Sequence, residues 1–421
     1  MLLYRLFIWL YPKIAWLLRF TNQKAALWLS GRKGIFKKLS ATYYKNVLPV
    51  IWMHCASVGE FEQGLPVLEK LREKYPGYRI LLTFFSPSGY ELRKDYKGVD
   101  NVFYLPMDSP KNATRFFNIV QPSLVLFVKY EFWYYYLQEA KERHIPVLLV
   151  SGIFRNDQPF FKWYGRLHRK ILTFISYFFV QNQSSAALLK TLGITENVFI
   201  TGDTRFDRVI TIANNFSDIP LISEFCKDLP VIVAGSTWTE DDEELDHFAN
   251  THPAVRLMVA PHDIDKERLE NCLSLYKHAI LFSEYKSIIE SGKMVNDETN
   301  VLIIDNVGML SKLYKYANIT YVGGGFGNDG IHNILEAAVY GKPVVFGPVY
   351  DKYFEAEELL DAGGAFSIAN ALELEKVLQD LFSDKGLYDQ ASKASLEYVQ
   401  QKSGATNKVT GLIQEKRLLI N

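Results

Sequence analysis

From Val47 onward the chain repeats one arrangement twice: short apolar runs rich in β-branched and aromatic residues, each followed by a longer segment of helical character. The first series comprises VLPVIWMHCA (47–56), RILLTFF (79–85), VFYLP (102–106), SLVLFV (123–128) and IPVLLVSG (145–152), with helices expected over 60–74, 88–95, 109–119 and 132–143. The second comprises LPVIVAGS (229–236), VRLMVAPH (255–262), HAILFS (278–283), NVLIID (300–305), NITYVGG (318–324) and KPVVFGP (342–348). Alternation of this kind implies βαβ units and a parallel sheet covered by helices on both faces. Two Rossmann-like α/β domains follow, and 421 residues suffice for two or three domains. The boundary is expected in the polar stretch NNFSDIPLIS (214–223), after the strand NVFITGD (197–203). That division gives a segment 1–46, a first domain 47–215 and a second domain 216–421, whose last helix could pack back on the first. Two such domains leave a cleft where the carboxyl ends of both sheets face each other, and ligands of these folds bind there.

The ends of the chain differ in charge. The 47 basic and 47 acidic residues cancel overall, yet residues 1–59 hold no Asp or Glu and carry Arg5, Lys13, Arg19, Lys24, Arg32, Lys33, Lys37, Lys38 and Lys45. The first twenty residues are dense in Leu, Ile, Trp and Tyr but are interrupted by Arg5, Pro12, Lys13 and Arg19. A membrane span needs roughly 20 mostly uncharged residues. The segment therefore reads as one that lies in a membrane interface, with rings at headgroup depth and cations on anionic phosphates at about 1 kcal/mol each before screening. The plainer alternative is an amphipathic helix covering an apolar groove. A secretory signal is disfavoured because Lys13 breaks the apolar run and no cleavage site follows. Basic residues confined to an apolar amino terminus, with a net acidic body, argue against nucleic-acid binding. Three widely spaced cysteines, Cys55, Cys226 and Cys272, fit neither a disulfide framework nor a paired-cysteine metal site and suggest a reducing compartment.

Three loops could carry chemistry. The first strand runs into HCASVGEFEQG (54–64), which places Ser57 and Glu60 where a strand ends and a helix begins. A glutamate there complements the helix dipole, and it is equally well placed as a general base for a substrate hydroxyl. In the second domain VAGSTWTEDDEEL (233–245) brings Ser236 and Thr237 to a strand end, in a pattern that also serves helix capping. YVGGGFGNDGIHNILEAAVYGKPVVFGP (321–348) places Gly323, Gly324, Gly325, Gly327 and Gly330 between a strand and a helix expected to start near His332. Such a loop lets main-chain N–H groups approach a phosphate. Its spacing is neither GxGxxG nor a P-loop, which argues against dehydrogenase and NTPase readings. Glu336, with Asn333 and His332 on one helix face, could accept hydrogen bonds from a ribose diol. A zinc site built on His332 and His262 is not indicated, since no close pair of ligands supports it, and no cofactor is implied.

Together these segments resemble the 3-deoxy-D-manno-octulosonic acid (Kdo) transferases of lipopolysaccharide assembly, inverting glycosyltransferases of the GT-B fold. The resemblance rests on the basic apolar amino terminus, SVGE (57–60), TFFSPSGYE (83–91), LPMDSP (105–110), P-x-L-x-L-x-x-x-x-E-x-W (122–133), TGDTRFD (201–207), GSTWTEDDEE (235–244) and GGG…GIHNILEAA with GKPVVFGP (323–348). It implies transfer of Kdo from CMP-Kdo to a lipid A precursor at the cytoplasmic side of the inner membrane. Glu60 matches the family's catalytic base, and Arg205 stands where the family has a lysine that stabilises the transition state. Pro261, His262, Val307, Gly308, Met309, Asn333, Ile334, Leu335 and Glu336 align with its CMP contacts. Ser57, Glu131, Ser236, Thr237, Gly324 and His332 are further candidates for the lining of the cleft.

The sequence departs from the family at three places. The usual E-x-E-x-W reads Lys129, Tyr130, Glu131, Phe132, Trp133, so a cation replaces a carboxylate, and Lys129 could instead meet the Kdo carboxylate or a lipid phosphate. The usual Pro-Arg-His reads Pro261, His262, Asp263, which would make phosphate affinity there depend on pH. Tyr134 and Tyr135 follow Trp133 in place of Pro-Asn. Rival readings are a GT-B transferase using another nucleotide sugar on a lipid acceptor, and a non-catalytic nucleotide-sugar-binding membrane protein.

Overall fold

The computed structural model describes residues 1–420. It divides into two compact units, Met1–Arg208 with Ser403–Asn421, and Val209–Lys402. The first holds strands β1 (Val50–Cys55), β2 (Arg79–Phe84), β3 (Asn101–Tyr104), β4 (Pro122–Val128), β5 (Val147–Gly152), β6 (Tyr177–Val180) and β7 (Val198–Ile200). All seven are parallel, in the order β3-β2-β1-β4-β5-β6-β7. Alternate residues of β1 serve opposite faces: Val50 and Trp52 join one buried cluster, while Ile51, Met53 and Cys55 join another. Helices cover both clusters, as a parallel sheet requires.

The second unit holds β8 (Val231–Thr237), β9 (Arg256–Pro261), β10 (Ala279–Leu281), β11 (Val301–Ile303), β12 (Ile319–Val322), β13 (Val344–Phe346) and β14 (Ala365–Ser367). These are parallel in the order β10-β11-β9-β8-β12-β13-β14. The class is α/β with two seven-stranded parallel sheets, the architecture of the GT-B fold. β6 and β14 were not among the expected runs.

The units part inside the helix Thr204–Asn214, after Arg208, rather than at 215/216. Side chains of that first turn explain the position. Arg208 Nε donates to Glu62 Oε2 at 3.0 Å. Asp207 accepts from the amides of Gly404 and Thr406, both at 2.6 Å, tying down the start of the last helix, Ala405–Glu415. Val409 and Ile413 of that helix share a core with Phe61, Leu65 and Leu68.

Residues 1–46 do not form a segment apart. Helices Leu2–Leu18, Gln23–Arg32 and Ile35–Tyr43 belong to the first unit. Tyr4 donates to the buried carboxylate of Asp108, which also accepts from the amides of Tyr135 (3.0 Å) and Tyr136 (3.2 Å), and Arg5 Nε donates to Tyr135 Oη at 3.0 Å. The tyrosines after Trp133 are thus the dock for the first helix. Arg32 is also structural rather than available to a membrane. It donates to the carbonyls of Leu105 and Phe85, both at 2.8 Å, lies over the rings of Trp28 and Tyr104, and burial lowers its guanidinium to about 9. The other face of the first helix leaves Leu2, Leu6, Trp9, Trp16 and Leu17 exposed. Among the described residues no helix is long and apolar enough to cross a membrane.

Candidate active site

Strand order reverses between β1 and β4 in the first unit, and loops that leave the carboxyl ends of two strands at such a point bound a ligand crevice. The loop after β1 leads to Glu60 in the first turn of the helix Val58–Lys74, and the loop after β4 carries Lys129, Tyr130 and Glu131. Lys129 has a φ of 63°, a left-handed turn that ends the strand abruptly and aims the next residues away from it. Glu60 turns back to accept a hydrogen bond from the Ala56 amide. Burial, and after it the charge of Glu131, push its carboxyl up to about 8, against the pull of the Ala56 amide and of Lys129. Arg205 is held by Asp203, with Nε to Oδ2 at 2.8 Å, and its charge acts together with that of Arg155 on the Tyr130 hydroxyl. The first unit therefore brings together Glu60, Lys129, Glu131 and Arg205. Ser57 is the N-cap of the Glu60 helix, with no hydrogen bond from its side chain to that helix.

The raised Glu60 has a consequence for stability. A carboxyl that titrates at 4.5 unfolded and about 8 folded binds more protons in the native state between those values, so stability falls as pH rises through that window. Glu60→Gln removes the effect. The melting temperature of the variant is expected to gain on wild type from pH 5 to pH 8.5 in parallel thermal scans, and an equal difference at both pH values would contradict the assignment.

In the second unit the order reverses between β8 and β12. β8 ends in Ser236, at a φ of 56°, and Thr237, which is fully buried. The Thr237 carbonyl accepts from the His262 amide at 3.0 Å, joining the β8 loop to the end of β9, where Pro261 is the last strand residue. His262 stacks against two rings, Trp238 at 4.6 Å and His332 at 4.5 Å. Trp238 Nε1 donates to His332 Nε2 at 3.2 Å. Burial, then the charge His262 would carry, hold the His332 imidazole down to about 4, so it is neutral near pH 7.

The glycine loop after β12 is anchored by Asp241. This buried carboxylate accepts from the amides of Gly324 and Trp238 and from the Tyr321 hydroxyl, each at 2.8 Å. Gly324 has a φ of 92°, and a Cβ on Gly325 would stand 2.6 Å from the Gly347 main chain, so the loop passes where only glycine fits. The helix expected near His332 begins at Leu335 and has four residues, Leu335–Ala338; the His332–Asn333 stretch is irregular because the His332 amide bonds Gly323 and the Asn333 side chain caps Leu335. So short a helix offers no developed dipole to an anion. Asn333 Nδ2 donates to Glu336 Oε1 at 3.0 Å. Ile334 and Leu335 are fully buried, so neither presents surface to a ligand in this structure. Val307, Gly308 and Met309 form the exposed turn between β11 and the helix Leu310–Leu313, where Val307 is 80% exposed.

Sequence reasoning missed Trp238, Asp241 and His54. Trp238 was visible as an aromatic residue inside a polar capping loop, and His54 as the one polar side chain of an apolar strand. Among the described residues no group of three or more His, Cys, Asp or Glu could hold a metal ion.

Comparison with known proteins places this geometry. Residues 29–208 match the family described as 3-deoxy-D-manno-octulosonic-acid transferase (kdotransferase). The chain is 32% identical over 348 residues to the 3-deoxy-D-manno-octulosonic acid transferase of Aquifex aeolicus, covering 81% of this chain and 88% of the relative. It is 28% identical over 378 residues to the enzyme of the same name from Haemophilus influenzae, covering 86% of each. In fold it is similar to UDP-GlcNAc 2-epimerase from Neisseria meningitidis bound to UDP-GlcNAc, with a TM-score of 0.61, 15% identity, and coverage of 87% of this chain and 100% of that one. The chain belongs to the 3-deoxy-D-manno-octulosonic acid transferase family and is a glycosyltransferase.

Proposed function

We propose that the protein transfers Kdo from CMP-Kdo to a hydroxyl of a lipid A precursor in lipopolysaccharide biosynthesis, with inversion at the anomeric carbon. The observation that carries the mechanism is the Glu60 carboxyl, raised to about 8 at the carboxyl end of β1. Ionised Glu60 takes the proton of the acceptor hydroxyl as its oxygen attacks the anomeric carbon, and the bond from that carbon to the CMP phosphate breaks. Arg205, oriented by Asp203, stabilises the departing phosphate or the Kdo carboxylate. Lys129 supplies a second cation on the same side.

CMP is assigned to the second unit, where Pro261, His262, Val307–Met309, the glycine loop and Asn333–Glu336 surround the switch between β8 and β12. The acceptor is assigned to the first. A cavity of about 1240 Å³ lined by Leu2, Leu3, Tyr4, Arg166, Arg169 and Lys170 combines apolar walls with cations, as an acylated, phosphorylated acceptor requires. The exposed apolar face of the first helix, with Lys13 and Arg19 beside Trp9 and Trp16, suits an anionic membrane surface and supports assigning the enzyme to the cytoplasmic face of the inner membrane.

The test is purified protein with a tetraacylated lipid A precursor in detergent, given CMP-Kdo, CMP-sialic acid or UDP-hexoses in parallel, with products resolved by mass. Addition of Kdo from CMP-Kdo alone is expected. Transfer only from another donor would overturn the donor assignment, and CMP-Kdo binding without turnover would overturn the activity.

A further inference from the structure

The Lys129–Trp133 loop carries two of the charged groups placed at the crevice of the first unit, and it has no regular structure of its own. Its start is fixed by the left-handed Lys129, whose amide donates to the Val150 carbonyl at 2.9 Å. Its end is Trp133, the N-cap of the helix Tyr134–Glu142, which gives that helix no side-chain bond. The first amides of a helix have no partner within it and must find one elsewhere. Here Tyr4 and Asp108 supply it. The Tyr134 amide donates to Tyr4 Oη at 3.2 Å, and the Tyr135 and Tyr136 amides donate to Asp108 Oδ2 and Oδ1 at 3.0 and 3.2 Å. The Tyr4 hydroxyl gives its own hydrogen to Asp108, which is 1% exposed. Tyr134 is one of the two residues that stand in place of Pro-Asn, and a proline there would have no N–H to give. Ring packing reaches the same point by a second route. The Trp133 ring lies 4.6 Å from that of Phe85, and Phe85 lies 5.6 Å from Tyr11 of the first helix and 5.9 Å from Trp28 of the second. Trp133 Nε1 is within hydrogen-bond reach of Glu131 Oε2 and, at 3.2 Å, of His54 Nε2.

We propose that Tyr4 is a positioning residue and the first helix a working part of the active site: by fixing the end of the Lys129–Trp133 loop it sets where Lys129 and Glu131 stand, so transfer depends on this helix apart from any hold it gives on a membrane. The two roles fall on different residues of one helix. Tyr4, Arg5 and Tyr11 bond or pack against the first unit, Arg5 through Nε to Tyr135 Oη at 3.0 Å, while Leu2, Leu6, Trp9, Trp16 and Leu17 are exposed. An anchor needs only the exposed set. It has no use for a hydroxyl set between a buried carboxylate and the first amide beyond the loop. That hydroxyl accepts from one group and donates to the other, which fixes direction as well as distance. A misplacement of about 1 Å can cost roughly 10²-fold in rate. A loop held less firmly at one end is therefore expected to show in turnover before it shows in the fold.

The inference rests on the proposed transfer at this crevice, so its test has an arm that needs no catalysis. Tyr4→Phe keeps the ring and removes only the hydroxyl, and Asp108 retains the Tyr135 and Tyr136 amides, so the variant is expected to fold. In the full chain labelled with ¹⁵N-tryptophan, the Trp133 indole resonance is identified by its absence in Trp133→Phe. It is expected to shift in Tyr4→Phe, and an unmoved resonance would overturn the proposal. The second arm is transfer to a tetraacylated lipid A precursor dispersed in detergent, well below the melting temperature of either protein, so that neither membrane attachment nor unfolding enters. There Tyr4→Phe is expected to lower kcat about tenfold. The KM for CMP-Kdo should be unchanged, because the residues assigned to the donor lie in the other unit. Binding to vesicles of phosphatidylethanolamine and phosphatidylglycerol should equal that of wild type. A wild-type kcat in detergent, or a loss of transfer that only follows weakened vesicle binding, would overturn the proposal. A wild type without transfer would instead overturn the function reading and leave the resonance measurement standing.

Discussion

Glu60→Gln is expected to lower transfer by about 10²–10⁴-fold, the range that a positioned general base contributes. The substitution is close to isosteric, and its amide oxygen can still accept from the Ala56 amide, so the loop after β1 keeps its shape. CMP affinity should be unchanged, because the residues assigned to CMP lie in the other unit. Loss of turnover at constant CMP affinity separates removal of a base from damage to the fold. A variant with the wild-type rate would show that another group takes the proton.

The second large effect is expected at Asp241. Asp241→Ala strands two amides and a hydroxyl that now share one buried carboxylate. At roughly 1–3 kcal/mol for each buried group left unpaired, the loss is on the order of 3–5 kcal/mol, and the melting temperature should fall by about 10 °C. CMP affinity should fall with it, because the Gly324 amide and Trp238, which stacks on His262, lose their anchor together. Asp241→Asn keeps an oxygen for the two amides and should lie between. Calorimetric titration of CMP against both variants, with thermal scans alongside, checks the order; unchanged CMP affinity in Asp241→Ala would remove the glycine loop from the donor site.

What was legible in the sequence was whatever a single segment carries. The apolar runs of β1, β4, β8 and β12 announced parallel strands, and the Ser57–Glu60 loop and the glycine cluster announced themselves as strand-to-helix loops by composition. What was not legible depends on which strands become neighbours. Thr83 sits opposite His54 only because β1 pairs with β2 in that register, and Glu131 reaches His54 only because β4 is the other neighbour of β1. The stack of Trp238, His262 and His332 likewise joins residues that follow three different strands. Charge counting misled at Arg32, where one of the basic residues of the amino terminus is a packed structural group, because composition does not say which side of a helix meets the body. The helix expected at His332 was misplaced for a similar reason: the glycine loop holds that stretch by a main-chain bond to Gly323, which overrides local propensity.

As a general base, Glu60 must lose its proton before it acts. The pH dependence of kcat/KM for transfer from CMP-Kdo to a tetraacylated lipid A precursor, followed in wild type from pH 5.5 to 9.5 at constant ionic strength, tests this most directly, since kcat/KM reports groups of the free enzyme. The expected result is a tenfold rise per pH unit that levels off near 8, the value at which burial and Glu131 hold the Glu60 carboxyl. A rate that is flat across that range would contradict it.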